Sequence, residues 1–149
     1  MNEVSCTLRV TAPGDGAAAR VSVRRHQFIV GRPIEFDEQS PEIAAMEYVL
    51  GAVGAEVVNG VRAAARRQRV DVDQIEALVT GEVEHALVYL EVIGEQGQPR
   101  LSRVHVKLFV TGPDEPAIRR VYAAVVERLP LVCTLQAAAR VDLELIVTT

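Results

Sequence analysis

The sequence predicts an α+β protein in which short strands surround one unusually long helix. Three observations carry that prediction. Strand-like alternating segments stand before, between and after two helical segments. One amphipathic run, free of proline from Glu42 to about Arg69, extends well beyond the average helix of about 11–12 residues. With 49% hydrophobic and 24% charged residues, the chain is also too apolar to stay disordered. Its 149 residues fit one domain covering 1–149.

Val4 to Thr11 alternates toward its end and is closed by the turn-forming cluster Ala12-Pro13-Gly14-Asp15-Gly16. Ala19 to Arg24 places Val21 and Val23 between polar neighbours, and Gln27 to Val30 follows; these read as three short strands. After a loop carrying Gly31 and Pro33, Ser40-Pro41-Glu42 has the chemistry of a helix start. Serine can accept from a free amide, proline suits the first helical position, and glutamate meets the positive end of the dipole. Met46, Val49, Leu50, Val53, Val57, Val61 and Ala64 then recur at three- and four-residue steps. The expected helix has about 25–29 residues and is roughly 40 Å long. Its middle, Gly51-Ala52-Val53-Gly54-Ala55, costs about 1 kcal/mol in propensity for each glycine, which calls for close approach of another group. Arg62, Arg66, Arg67 and Arg69 complement the negative end of the dipole and read as a solvated terminus.

Farther on, Gln74 to Val83 and Ala86 to Ile93 are Val-rich and read as one or two strands, with a turn at 94–99. Leu101 to Thr111 alternates as a strand. Asp114 caps a second helix with Ile118, Val121, Tyr122, Val125 and Leu129 on one face, and Pro130 is expected to end it. A strand over Arg140 to Val147 closes the order β-β-β-α-β-β-(β)-α-β. A helix near 40 Å is outsized for such a globule, so a second copy of the chain is expected to share its burial.

Charge and cysteine content narrow the function classes. Lys and Arg total 16 against 20 for Asp and Glu, a net charge of −4 that argues against nucleic acid as partner. No apolar run approaches the roughly 18–20 residues of a membrane span, so no membrane partner is expected. The stretch from Met1 to Cys6 lacks the basic and apolar regions of a secretory signal, and the cytoplasm is the expected location. Cys6 and Cys133 form no metal-type pair. His26, His85 and His105 lie on three separate predicted strands without ligand spacing, so neither a metal nor another cofactor is expected.

Several strings in this order resemble the OsmC/Ohr family of osmotically induced and organic-hydroperoxide-resistance proteins. Val23-Arg24-Arg25-His26-Gln27-Phe28-Ile29-Val30 looks like its second hairpin. Ser40-Pro41-Glu42 followed by Leu50-Gly51-Ala52 resembles the opening of its central helix, and Glu127-Arg128-Leu129-Pro130-Leu131-Val132-Cys133-Thr134-Leu135 resembles its Glu-Lys-Cys-Pro-Val-x-x-Thr-Leu string. The resemblance implies an intertwined homodimer whose long helices are wrapped by sheets from both chains. It also implies a thiolate on the central helix that attacks a peroxide, and a second thiol after the next helix that resolves the sulfenic acid as a disulfide. At those places this chain carries Val53 or Ala52, and Leu129; no cysteine stands between Cys6 and Cys133. The usual peroxidase cycle is therefore chemically unavailable to it.

The remaining candidates follow from this departure. Val53, Val57 and Leu129 are expected to line a small apolar cavity left by the old substrate site, which would take a small hydrophobic ligand. Glu42 matches the family acid that orients an activating arginine, for which Arg20, Arg24 and Arg25 all qualify; a dipole-completing role is the plainer expectation. Glu47 and Glu56 lie on the long helix. Glu56 is close to the missing thiol, and a solvated outer face is expected for it, with a buried functional acid as the alternative. Cys133, beside Leu131, Val132 and Leu135, is expected to be buried and inert, and Cys6 to be a small buried apolar group. A thiol-redox or peroxidase activity relocated to Cys133, and a structural or interaction role, are the alternatives to ligand binding.

Overall fold

A computed structural model describes residues 3–16 and 18–149. The reading at Met1 and Asn2 lies outside the described residues. The chain divides into two compact units, the first running to Val49 and the second from Leu50 to Thr149, so the boundary falls inside the long helix.

In the first unit, β1 (Arg9–Thr11), β2 (Ala19–Val23) and β3 (His26–Val30) form an antiparallel sheet in the order β1-β2-β3. β1 is shorter than the expected Val4 to Thr11 because all three of its residues are exposed, so no buried face holds a longer strand. Cys6 consequently lies outside any strand and is exposed rather than buried.

The long helix α1 (Ala45–Gln68, 24 residues) begins five residues later than Ser40. Ser40 Oγ reaches the Glu42 amide only at 3.5 Å. The first free amides are satisfied differently: Glu47 reaches back to accept from Ala44 N at 2.7 Å, while Ala45 N and Met46 N donate to the carbonyls of Arg32 and Pro33 at 3.0 and 3.1 Å. A glutamate returning to the N-cap amide is one half of a capping box. Glu42 thus precedes the helix and is not its first-turn acid. Tyr48 fixes the start of α1 to β3, donating to Ile29 O at 2.7 Å with its ring centroid 5.1 Å from that of Phe28.

The second unit contains the rest of α1, β4 (Gln74–Glu84), α2 (Ala86–Tyr89), β5 (Arg100–Thr111), α3 (Glu115–Val126), α4 (Pro130–Gln136) and β6 (Arg140–Thr148). Its sheet order is β4-β5-β6, antiparallel between β4 and β5 and parallel between β5 and β6. Parallel neighbours need a crossover, and α3 with α4 supply it. Val104, Val106, Leu108 and Val110, alternating along β5, face Val53, Val57 and Val61 of α1 and Ile118 and Val121 of α3 in one buried cluster. Each such side chain contributes about 1.5–3 kcal/mol by leaving water.

Two expected elements differ. Ala86 to Ile93 is not a strand: His85 adopts a left-handed backbone at φ 54°, which ends β4 and opens the short helix α2. Leu87, Leu90, Val92 and Ile93 are left exposed. Pro130 does not end the second helix. α3 stops at Val126, Leu129 is extended, and Pro130 starts α4 at the position where its missing N–H costs nothing. Asp114 does cap α3, accepting from Ala117 N at 2.9 Å. No helix among the described residues is long and apolar enough to cross a membrane.

Candidate functional site

In the first unit, Arg20 on β2 and Glu42 on the 31–44 segment line one cleft of about 380 Å³ with Thr11 and Ile29. Arg24 and Arg25 instead occupy the exposed β2–β3 turn. Of the three arginines, only Arg20 therefore shares a cleft with Glu42. Gly31 lies against the base of Glu42: a Cβ built at Gly31 would meet Glu42 Cβ at 2.8 Å.

In the second unit, the middle of α1 meets the start of α4. Val53, Val57 and Leu129 are all buried, at 1%, 0% and 5% exposure, as members of the core cluster. Leu129 lies so close to the helix backbone that a Cβ at Gly60 would stand 2.7 Å from its Cδ2. Gly54 is likewise closely approached, with Val79 Cγ2 at 2.8 Å from a built Cβ, whereas nothing among the described residues comes within 4 Å of a Cβ built at Gly51. The close approach expected of the small-residue centre holds at Gly54 and not at Gly51. Ala52, on the turn before Val53, is exposed.

Glu56 is neither wholly solvated nor unpaired. Its carboxylate accepts from Leu131 N at 2.9 and 3.1 Å and from Val132 N at 3.1 Å, closing the N-terminus of α4 across 75 residues of sequence. A carboxylate there satisfies two orphan amides and meets the positive end of the peptide dipoles. This clasp was the feature sequence reasoning missed. Its signal was a helix start at Leu129-Pro130 with no capping side chain of its own, and an acid sharing the helix face of Val53, Val57 and Gly60.

Cys133 is exposed, not buried: α4 turns only Val132 fully into the core and leaves Leu131 outside. Its Sγ donates to Glu127 O at 3.4 Å, a contact that only the protonated thiol makes. Glu47 is occupied by its capping role. The histidines stay apart: His26 opens β3, His85 precedes α2, and His105 in β5 has Nε2 3.3 Å from Glu144 Oε2. No cluster of three His, Cys, Asp or Glu suited to a metal occurs among the described residues.

Comparison with known proteins adds the lineage. The model of the family described as "OsmC-like protein" matches residues 38–144, more than two thirds of the chain. None of the curated proteins matches. Among solved structures, an OsmC-like protein from Mycoplasma pneumoniae is similar at 14% identity and a TM-score of 0.76, over 99% of this chain and 98% of that one. The organic hydroperoxide resistance protein OsmC from Legionella pneumophila is similar at 14% identity and a TM-score of 0.67, over 99% of this chain and all of that one. The organic hydroperoxide resistance protein OhrB of Bacillus subtilis is similar at 19% identity and a TM-score of 0.60, over 94% and 98%. At these identities the likeness is one of fold.

Proposed function

The chain belongs to the OsmC-like protein family, and from that premise we propose that it is a homodimeric member that does not reduce hydroperoxides through a thiol pair. The observation that carries this reading is the fate of its two sulfurs. Cys6 is exposed outside any strand and Cys133 is exposed on α4, while the helix positions matching the family nucleophile hold Ala52 and Val53, and Leu129 precedes Pro130. An aliphatic group at those positions takes no electrons from a peroxide. In place of a redox link, α1 and α4 are joined by the Glu56 carboxylate and the packing of Leu129 on Gly60, neither of which responds to oxidants.

Arg20 and Glu42, which line one cleft, are the residues we assign to the family's arginine and acid, here without a thiolate to stabilise. Val53, Val57 and Leu129 are packed aliphatic groups where thiol chemistry would stand, and a ligand that opened this place would be a small apolar molecule and not an electrophilic substrate. The open small-residue face at Gly51, whose propensity cost no contact among the described residues offsets, supports a second copy of the chain as its cover.

Intact mass spectrometry after treatment with excess cumene hydroperoxide tests this reading. Slow or no oxygen addition is expected, equal in native and denatured protein. Rapid stoichiometric oxidation of native Cys133 would overturn it and favour the second reading, thiol chemistry moved to that residue, which its exposure permits.

A further inference from the structure

At the other end of α1 the chain builds a second cleft, independent of the site above. The helix ends on Arg69 in a left-handed conformation at φ 55°, with Arg69 N donating to Arg66 O at 3.2 Å and Val70 N to Ala65 O at 2.9 Å. This paired closure folds the chain back along the helix. Residues 70–75 therefore run beside the last turns of α1 and leave a cleft of about 380 Å³, within the range of small-molecule sites.

Val58, Val70, Val72 and Ile75 give the cleft an apolar floor, each only partly buried. Arg62 and Arg66, four residues apart on one helix face, stand over it. Like charges at that spacing repel one another. Neither guanidinium pairs with a carboxylate among the described residues, although ion pairs are frequent on the sheet of the same unit. Arg62 is oriented instead by a neutral partner, donating to Asn59 Oδ1 at 2.6 Å, which leaves its charge uncancelled. Asp73 is the one acid on the cleft wall.

We propose that this cleft binds a small amphiphilic carboxylate, its head between Arg62 and Arg66 and its short apolar tail on Val58, Val72 and Ile75. Guanidinium groups present paired donors that match a carboxylate, and two of them compensate for its loss of water. The floor discriminates in favour of a tail over a bare anion. Asp73 opposes a second negative charge, so a monoanion is preferred to a dianion.

Titration calorimetry of the full chain at low salt with octanoate, octanol and inorganic phosphate tests the assignment. Octanoate is expected to bind saturably, with octanol and phosphate weaker by about tenfold or more, since each loses one half of the recognition. The double variant R62Q/R66Q should weaken octanoate by at least about tenfold. D73N should tighten it. Phosphate binding as well as octanoate would overturn the apolar half of the proposal, and undiminished octanoate affinity in R62Q/R66Q, or no saturable octanoate binding to the native chain, would overturn it entirely. Circular dichroism of both variants separates loss of binding from loss of fold.

Discussion

Glu56 decides how α1 and α4 are joined, and its contribution is measurable. Removing a carboxylate that caps two amides costs about 1–2 kcal/mol, as for other N-terminal caps. Glu56→Ala should therefore lower stability by that amount in urea unfolding, while Glu56→Gln, which keeps an acceptor oxygen and loses the charge, should lose roughly half. Asp142 on β6 supplies the acid response. Arg103 Nε at 2.7 Å, and then Arg140 Nε at 3.0 Å, hold its carboxyl below the usual range. Its stabilising contribution is present above the ordinary carboxyl pKa and is lost as the pH falls through the lower, folded value. Asp142→Asn should accordingly be less stable than the native protein at neutral pH, and the difference should shrink below about pH 4. Neither the Glu56 clasp nor the Arg103–Asp142 pair is legible in the sequence, because each joins residues remote along the chain. Cys133 is exposed although its neighbours along the chain are apolar, because on a helix successive side chains point to different sides.

At the scale of elements, most of the architecture could be read from periodicity. The stripe Val53, Val57, Val61 and Ala64 on α1 is buried, and so is the alternation along β5. The failures have local physical causes. Ser40-Pro41-Glu42 looked like a helix start, but the amides of α1 are capped by Glu47 and by the carbonyls of Arg32 and Pro33, which only the folded loop brings there. Val-rich composition suggests a strand over Ala86 to Ile93, yet β4 and β5 finish pairing at Glu84 and Arg100, leaving residues 86–93 no partner strand among the described residues. The parallel pairing of β6 with β5 has no signature in either strand. Two substitutions examine α1. Gly54→Ala should destabilise by about 1 kcal/mol despite better helix propensity, because the new methyl collides with the stiff Val79 side chain. Arg69→Gly should stabilise by about 0.5–1 kcal/mol by relieving the left-handed backbone. Thermal unfolding of both variants checks the opposite signs.

For the whole molecule, the family is OsmC-like, and the proposed function follows from where its two sulfurs stand, at the exposed Cys6 and Cys133. The fold class was legible because the order of elements survives at sequence identities of 11–19%. That Arg20 shares a cleft with Glu42 while Arg24 and Arg25 stand in the β2–β3 turn is a matter of three dimensions that the sequence does not carry. If a second copy covers the open face of α1, Gly51→Leu should shift the oligomer toward monomer in sedimentation velocity while leaving the helical circular dichroism intact. The most direct measurement is steady-state consumption of cumene hydroperoxide by the purified chain with a dithiol reductant in excess. The account predicts no turnover above the protein-free rate and no change with Cys133→Ser; sustained turnover that the same substitution abolishes would contradict it.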